Sequence, residues 1–203
     1  VKMQVEGMND GVLEATGERF AALYSELTLI EKLVWNLQDL SRFESPEMKI
    51  SPADVNACRF ADDASSRFAL LAKKKNIKFT IKKNCAKDFD FKADPLLLMR
   101  CVSNLLQNAF QYTAEGGEVS LCVEKTCENR VKISVMNTGA ISEEDIPHVF
   151  DRLYRGDRSR STAGSGLGLS IAQAIANLHG GKIEVRNTTN KRGENCVCFS
   201  VAV

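Results

Sequence analysis

A chain of 203 residues is long enough for one full domain and a smaller element, because a core-forming domain needs roughly 100–150 residues. Its 27 basic and 26 acidic side chains nearly cancel, which argues against nucleic-acid binding, and no apolar run approaches the roughly 18–20 residues of a membrane-spanning helix. Seven cysteines without a C-x-x-C spacing argue against a zinc or disulfide framework and predict reduced, mostly buried thiols.

The first predicted elements are helical. Phe20, Leu23, Leu27, Ile30, Val34 and Leu37 recur at steps of 3, 4, 3, 4 and 3, a heptad seam that calls for a partner helix. Val1, Val5, Met8 and Val12 carry a matching stripe, with a turn between Gly11 and Gly17. Two antiparallel helices follow, the second over about Thr16 to Phe43 and ~40 Å long, the first only about ten residues. So unequal a pair leaves apolar surface for a second copy of the chain, and it suggests a first helix shortened by truncation of a longer protein. Ser45-Pro46 ends the second helix, because the residue before a proline avoids the α region. A boundary after residue 45 separates this hairpin, 1–45, from a second domain, 46–203.

In the second domain, Asp54 to Lys75 reads as a helix with Val55, Cys58, Ala61 or Asp62, Ser65, Phe68 and Leu71 or Ala72 inward. Strands follow at Ile77–Ile81 and Phe89–Phe91, and Asp94-Pro95 opens a helix as N-cap and first-turn proline. Glu118–Glu124 and Arg130–Met136 alternate as strands around a turn at Cys127–Asn129; Gly181–Arg186 and Cys196–Val203 form a second such pair, with one helix, about Leu167 to Leu178, before them. This order predicts an α+β fold: a helical hairpin followed by a two-layer sandwich with helices on one face of a mixed or antiparallel sheet.

Two motifs carry chemistry. On the Asp94 helix, Asn104, Asn108 and Gln111 share one stripe, beside a buried stripe of Leu98, Val102, Leu105 and Ala109. A carboxamide oxygen suits Mg²⁺, which prefers hard oxygen donors; a plain polar helix face is the alternative. Gly164, Ser165, Gly166, Leu167 and Gly168 form a glycine-rich turn running into a helix, whose free N–H groups and positive dipole end suit phosphate. Between them, Arg152, Arg155, Arg158 and Arg160 lie in a polar stretch that reads as a phosphate-binding lid or a solvated charge run. Tyr112 could set its ring beside a planar base, or pack as core.

These residues together resemble the ATP-binding core of bacterial sensor histidine kinases, a Bergerat-fold family shared with gyrase, Hsp90 and MutL. Asn104-Leu-Leu-Gln-Asn108-Ala resembles the N-box, Phe150-Asp-Arg-Leu-Tyr154-Arg155 the F-box, and Gly164-Ser-Gly-Leu-Gly-Leu169 the glycine box. Leu178-His179-Gly-Gly181 resembles the junction after the glycine-box helix, and Leu33 to Glu44 the end of the dimerisation helices. The resemblance implies ATP and Mg²⁺ as ligands, with Asn108 holding the metal and Asn104 beside it. It places Tyr112 and Asn137 at adenine, Arg155 at the terminal phosphate, and Gln111 where many relatives carry a phosphate-binding lysine. Asn137-Thr-Gly139-Ala-Ile141 departs from the family's Asp-x-Gly-x-Gly, with a neutral acceptor in place of a charged one and the second glycine absent.

The implied activity is ATP-dependent phosphoryl transfer to a histidine and then to an aspartate of a response regulator receiver domain, in a homodimer. The setting implied is the cytoplasmic portion of a membrane-anchored bacterial sensor. Neither His148, beside Val149, nor His179, beside Gly180, matches the phosphoacceptor motif, so the acceptor is expected upstream of Val1, and the chain alone is expected to bind ATP with little autophosphorylation. His179 reads as a structural residue at a helix end. A degenerate nucleotide-binding module that regulates a partner without phosphotransfer is the first alternative. An ATP-hydrolysing machine of the gyrase or Hsp90 kind is the second, disfavoured by the heptad hairpin.

Overall fold

The computed structural model describes residues 1–87, 89–126, 130–156 and 165–203. Its contacts divide the chain into two compact units, Val1–Asp39 and Leu40–Val203. Among the described residues no helix is long and apolar enough to cross a membrane.

In the first unit, α1 (Lys2–Asn9) precedes α2, which runs over Gly17–Phe43 and so continues past the division. The Val1 nitrogen lies 3.3 Å from the Glu26 carboxylate, which sets the start of α1 beside the middle of α2 and makes the two antiparallel. The turn closes where the Leu13 N–H donates to the Gly7 carbonyl at 2.8 Å. Leu23 is buried, whereas Phe20, Leu27, Ile30, Val34 and Leu37 stay about half exposed, so the heptad seam is formed and uncovered.

The second unit holds a five-stranded sheet in the order β2-β4-β5-β7-β6, from β2 (Lys78–Asn84), β4 (Glu118–Lys125), β5 (Val131–Thr138), β6 (Lys182–Thr189) and β7 (Asn195–Ala202). Only β2 and β4 are parallel. Val131, Ile133, Val135 and Asn137 form the buried row of β5, alternating with half-buried residues as a one-sided strand requires. Helices α3 (Ala57–Lys74), α4 (Pro95–Tyr112) and α5 (Gly168–Leu178) cover that face: α3 packs on β2 and β4, α4 on β5, and α5 on β6. The two-layer sandwich expected from the element order is the observed architecture.

One expected element is corrected. Ala53–Asn56 is a strand, β1, paired antiparallel with β3 (Asp90–Ala93), and α3 begins only at Ala57, where the Asn56 side chain accepts the Arg59 N–H. The inward stripe of α3 shifts accordingly to Ala57, Phe60, Ala61, Ala64, Phe68 and Ala72; Cys58, Asp62 and Ser65 are not in it.

The helix that bears the asparagines is anchored at its start. Asp94 is its N-cap, accepting the N–H groups of Leu96 and Leu97 at 3.1 Å and, through its other oxygen, that of Ser51 at 3.0 Å. The Asp94 N–H in turn donates to His179 Nε2 at 3.0 Å, while His179 Nδ1 faces the Ile175 carbonyl at 2.8 Å. A carbonyl can only accept, so Nδ1 carries the proton, and a neutral His179 ties the end of α5 to the start of α4. Desolvation pushes the Asp94 carboxyl up, but the three backbone donors outweigh it and hold the group below its ordinary value. Its stabilising contribution is therefore present above about pH 4 and lost as pH falls through the depressed native value. Asp94→Ala is expected to lower stability by ~1–2 kcal/mol at neutral pH, and by less in acid, in equilibrium denaturation.

Candidate nucleotide site

The two motifs, 60 positions apart between Asn108 and Gly168, meet where α4 packs on α5. Leu98, Val102, Leu105 and Ala109 are fully buried, which turns the neighbouring stripe of Asn104, Asn108 and Gln111 to the partly exposed side of α4. A Cβ added to Gly168 would lie 3.9 Å from Asn104 Oδ1, so the start of α5 passes directly by the first carboxamide. Asn104 Nδ2 is buried and has no hydrogen-bond partner among the described residues. A buried, unanswered N–H donor is costly, by about 1–3 kcal/mol, unless a ligand oxygen completes it.

The glycine turn supplies further donors. Among the described residues no side chain caps the first N–H groups of α5, and the N-cap Leu167 is itself held by Ser165, whose Oγ accepts the Leu167 N–H at 3.2 Å. Gly166 has φ +67°, and a Cβ there would come within 2.7 Å of the Leu153 backbone, so only glycine lets the turn lie against Leu153. The Leu153 N–H donates to the Gly166 carbonyl at 3.0 Å, which stitches the glycine turn to the arginine-bearing segment.

That segment is held down at several points. Phe150 sets its ring edge on buried Phe199, and the Tyr154 hydroxyl donates to Asp145 Oδ1 at 2.6 Å. The Tyr154 hydroxyl first, and then Ser142, hold the Asp145 carboxyl below its ordinary value. Gly156 passes so close that a Cβ on it would lie 2.7 Å from Asp145 Oδ2. Arg155, partly buried, is thus bracketed by two residues that both bear on Asp145, while Arg152 pairs with Glu44. Asp145 was not legible as a site residue, since nothing distinguishes it in sequence from its neighbours Glu143 and Glu144. Arg158, Arg160 and Gly164 lie outside the described residues.

At the other end of α4, Tyr112, Asn137 and Gly139 come together. Gly139 has φ +140°, and a Cβ there would lie 3.7 Å from Asn137 Nδ2 and 4.0 Å from the Tyr112 carbonyl. Asn137 is only 3% exposed, the one polar member of the buried row of β5. Its Nδ2 donates to the Thr138 carbonyl at 3.1 Å, so the carboxamide offers its oxygen. Tyr112 is 43% exposed, so it is not packed into the core.

The residues fit a magnesium nucleotide better than a free metal. Among the described residues no three histidine, cysteine, aspartate or glutamate side chains cluster as a metal cage. Mg²⁺ needs none when phosphate oxygens and waters supply most of its shell and one protein oxygen completes it, a role open to Asn108. The orphaned Asn104 donor, the uncapped start of α5 and the glycine approach all suit phosphate oxygens.

Comparison with known proteins agrees with this geometry. Residues 93–202 match the family described as histidine kinase-, DNA gyrase B-, and HSP90-like ATPase. The sensor-like histidine kinase SenX3 of Mycobacterium tuberculosis is 34% identical over 80% of this chain, which spans 41% of that protein. The chain spans less than half the length of the curated relatives it matches. Among solved structures, the catalytic domain of histidine kinase ThkA superposes with a TM-score of 0.63 at 27% identity, covering 75% of this chain and 95% of that one. ThkA in complex with the response regulator protein TrrA superposes with a TM-score of 0.70 at 25% identity, over 93% of this chain and 52% of that one. With the buried asparagine, the glycine approach and the sandwich all in place over the matched residues, the chain belongs to the histidine kinase-, DNA gyrase B-, and HSP90-like ATPase family.

Proposed function

We propose that this chain is the ATP-binding part of a two-component sensor histidine kinase. The observation that carries the reading is the meeting of Asn104 with Gly168, which joins a carboxamide face to a helix start built for phosphate. In this reading Asn108 gives its oxygen to Mg²⁺ and Asn104 donates its buried N–H to a phosphate oxygen. The N–H groups at the start of α5, Ser165 and the Gly166–Gly168 backbone hold the phosphates, and Arg155 reaches the terminal one. Tyr112 lies beside adenine, and Asn137 accepts the adenine amino group next to Gly139. The bound ion neutralises phosphate charge.

A neutral imidazole nitrogen of a histidine outside these 203 residues attacks the γ-phosphorus in line; the bond to the ADP oxygen breaks, and the phosphoryl group passes next to an aspartate of a response regulator. Neither histidine of this chain suits that role: His179 has both ring nitrogens engaged, and His148 is followed by Val149 rather than by the acidic residue of the phosphoacceptor motif. The uncovered heptad seam of α2 supports a homodimer, and the sensor kinases among its relatives support a place in a bacterial sensor, of which this chain would be a cytoplasmic portion. The test is labelling of the longer protein with γ-labelled ATP. Acid-labile, base-stable label on a histidine is expected, and nucleotide binding without such label would sink the kinase reading.

Asn137 and Gln111 favour a second reading, a nucleotide-binding module that regulates a partner without phosphotransfer. A neutral acceptor is weaker than a charged one. Asn137→Asp is therefore expected to tighten Mg–ATP binding by roughly 5-fold to 10-fold in a calorimetric titration; unchanged affinity would mean that adenine does not meet this residue.

A further inference from the structure

Cys58 stands in the first turn of α3 and Cys85 directly after β2, 27 positions apart in sequence, yet their sulfur atoms lie 3.9 Å apart. Both are partly exposed, whereas Cys101, Cys196 and Cys198 are buried. No second thiol–thiol contact occurs among the described residues. The pair is held in register by other bonds. Asn56 Nδ2 donates to the Lys87 carbonyl at 3.0 Å and to Asp90 at 2.8 Å, and the Ala57 N–H donates to the Phe89 carbonyl at 3.0 Å. The chain on either side of the two thiols is therefore tied together without them. Lys83, paired with Asp62, sets a cation near both sulfurs.

We propose that Cys58 and Cys85 are a dithiol modification site, which a hydroperoxide converts to an intramolecular disulfide. One sulfur attacks the peroxide O–O bond and becomes a sulfenic acid with release of one water; the other attacks that sulfur and releases a second. Two thiols lose two electrons and two protons, and hydrogen peroxide becomes two waters. The sulfurs must close from 3.9 Å to about 2.05 Å, a movement that rotation of Cys85 on the β2–β3 connection can supply while capped α3 stays in place. Burial first, and then the hydrogen bond to Cys58, push the Cys85 thiol up to about 11. Cys85 therefore rests as a thiol at neutral pH and reacts slowly, faster as pH rises, which suits sustained rather than brief exposure to oxidant.

Hydrogen peroxide added to the full 203-residue chain tests the site. The expected result is a loss of two hydrogens in intact mass, a non-reduced peptide map that links the Cys58 and Cys85 peptides, and reversal by dithiothreitol. Cys58→Ser and Cys85→Ser should each abolish the link, and Cys122→Ser should keep it. If either serine variant fails to fold, the peptide map of the unaltered chain decides alone. A link through any other cysteine, or sulfinic acid at Cys58 or Cys85 without a link, would overturn the proposal.

Discussion

Asn108→Ala is expected to abolish Mg²⁺-dependent ATP binding, with a loss on the order of 100-fold or more in affinity. The residue lies one helical turn beyond Asn104, on the partly exposed stripe of α4, and in the proposed site its oxygen is the protein's own ligand to the ion. Alanine is the best helix former and Asn108 faces away from the buried row, so the fold should survive the change. Two titrations separate ligand loss from damage. In the unaltered chain, removal of Mg²⁺ should weaken ATP binding; in the variant, removing the ion should change little. A variant with full affinity that still depends on Mg²⁺ would place the metal on other residues.

Phe110→Ala is expected to be the most destabilising single change near the site, by ~3–5 kcal/mol in chemical denaturation. Phe110 is 1% exposed, its ring stacked on Phe68 at 5.7 Å and set edge-on to Phe79 at 5.2 Å. It thereby joins α3, α4 and β2, and alanine would leave a void that these three elements cannot all close. Its carbonyl also accepts the Lys75 ammonium at 2.8 Å, a contact the substitution keeps. Because Phe110 sits between Asn108 and Tyr112 on the same helix, nucleotide affinity should fall with stability. A loss under about 1 kcal/mol would show that the cluster repacks, contrary to the rigid support the site needs.

Much of this was legible in the chain itself, where local chemistry and periodicity agree. Asp94-Pro95 announces α4, and the full burial of Leu98, Val102, Leu105 and Ala109 follows from their spacing. The β5 row was equally plain in its alternation. The start of α3 was not, because Ala53–Asn56 is too short to show a period and its strand character comes from pairing with β3, 37 positions on. Shifting the helix start by three residues moved its inward stripe. Contacts between distant segments were beyond reach for the same reason: no local pattern brings Gly166 to Leu153, Tyr154 to Asp145, or Cys58 to Cys85. In each case the partner is chosen by packing, which a single sequence does not display.

In the proposed function the asparagine face of α4 and the start of α5 form one magnesium–nucleotide site. Residue-resolved NMR titration of the 203-residue chain with Mg–ATP tests it most directly. The side-chain amides of Asn104 and Asn108, the backbone amides of Gly168, Leu169 and Ser170, and the Asn137 side chain are expected to shift together on one saturable isotherm, and all to revert when the ion is chelated and the nucleotide removed. Shifts confined to one of the two motifs, or clustered on the opposite face of the sheet around Lys132, Arg186 and Cys198, would contradict it.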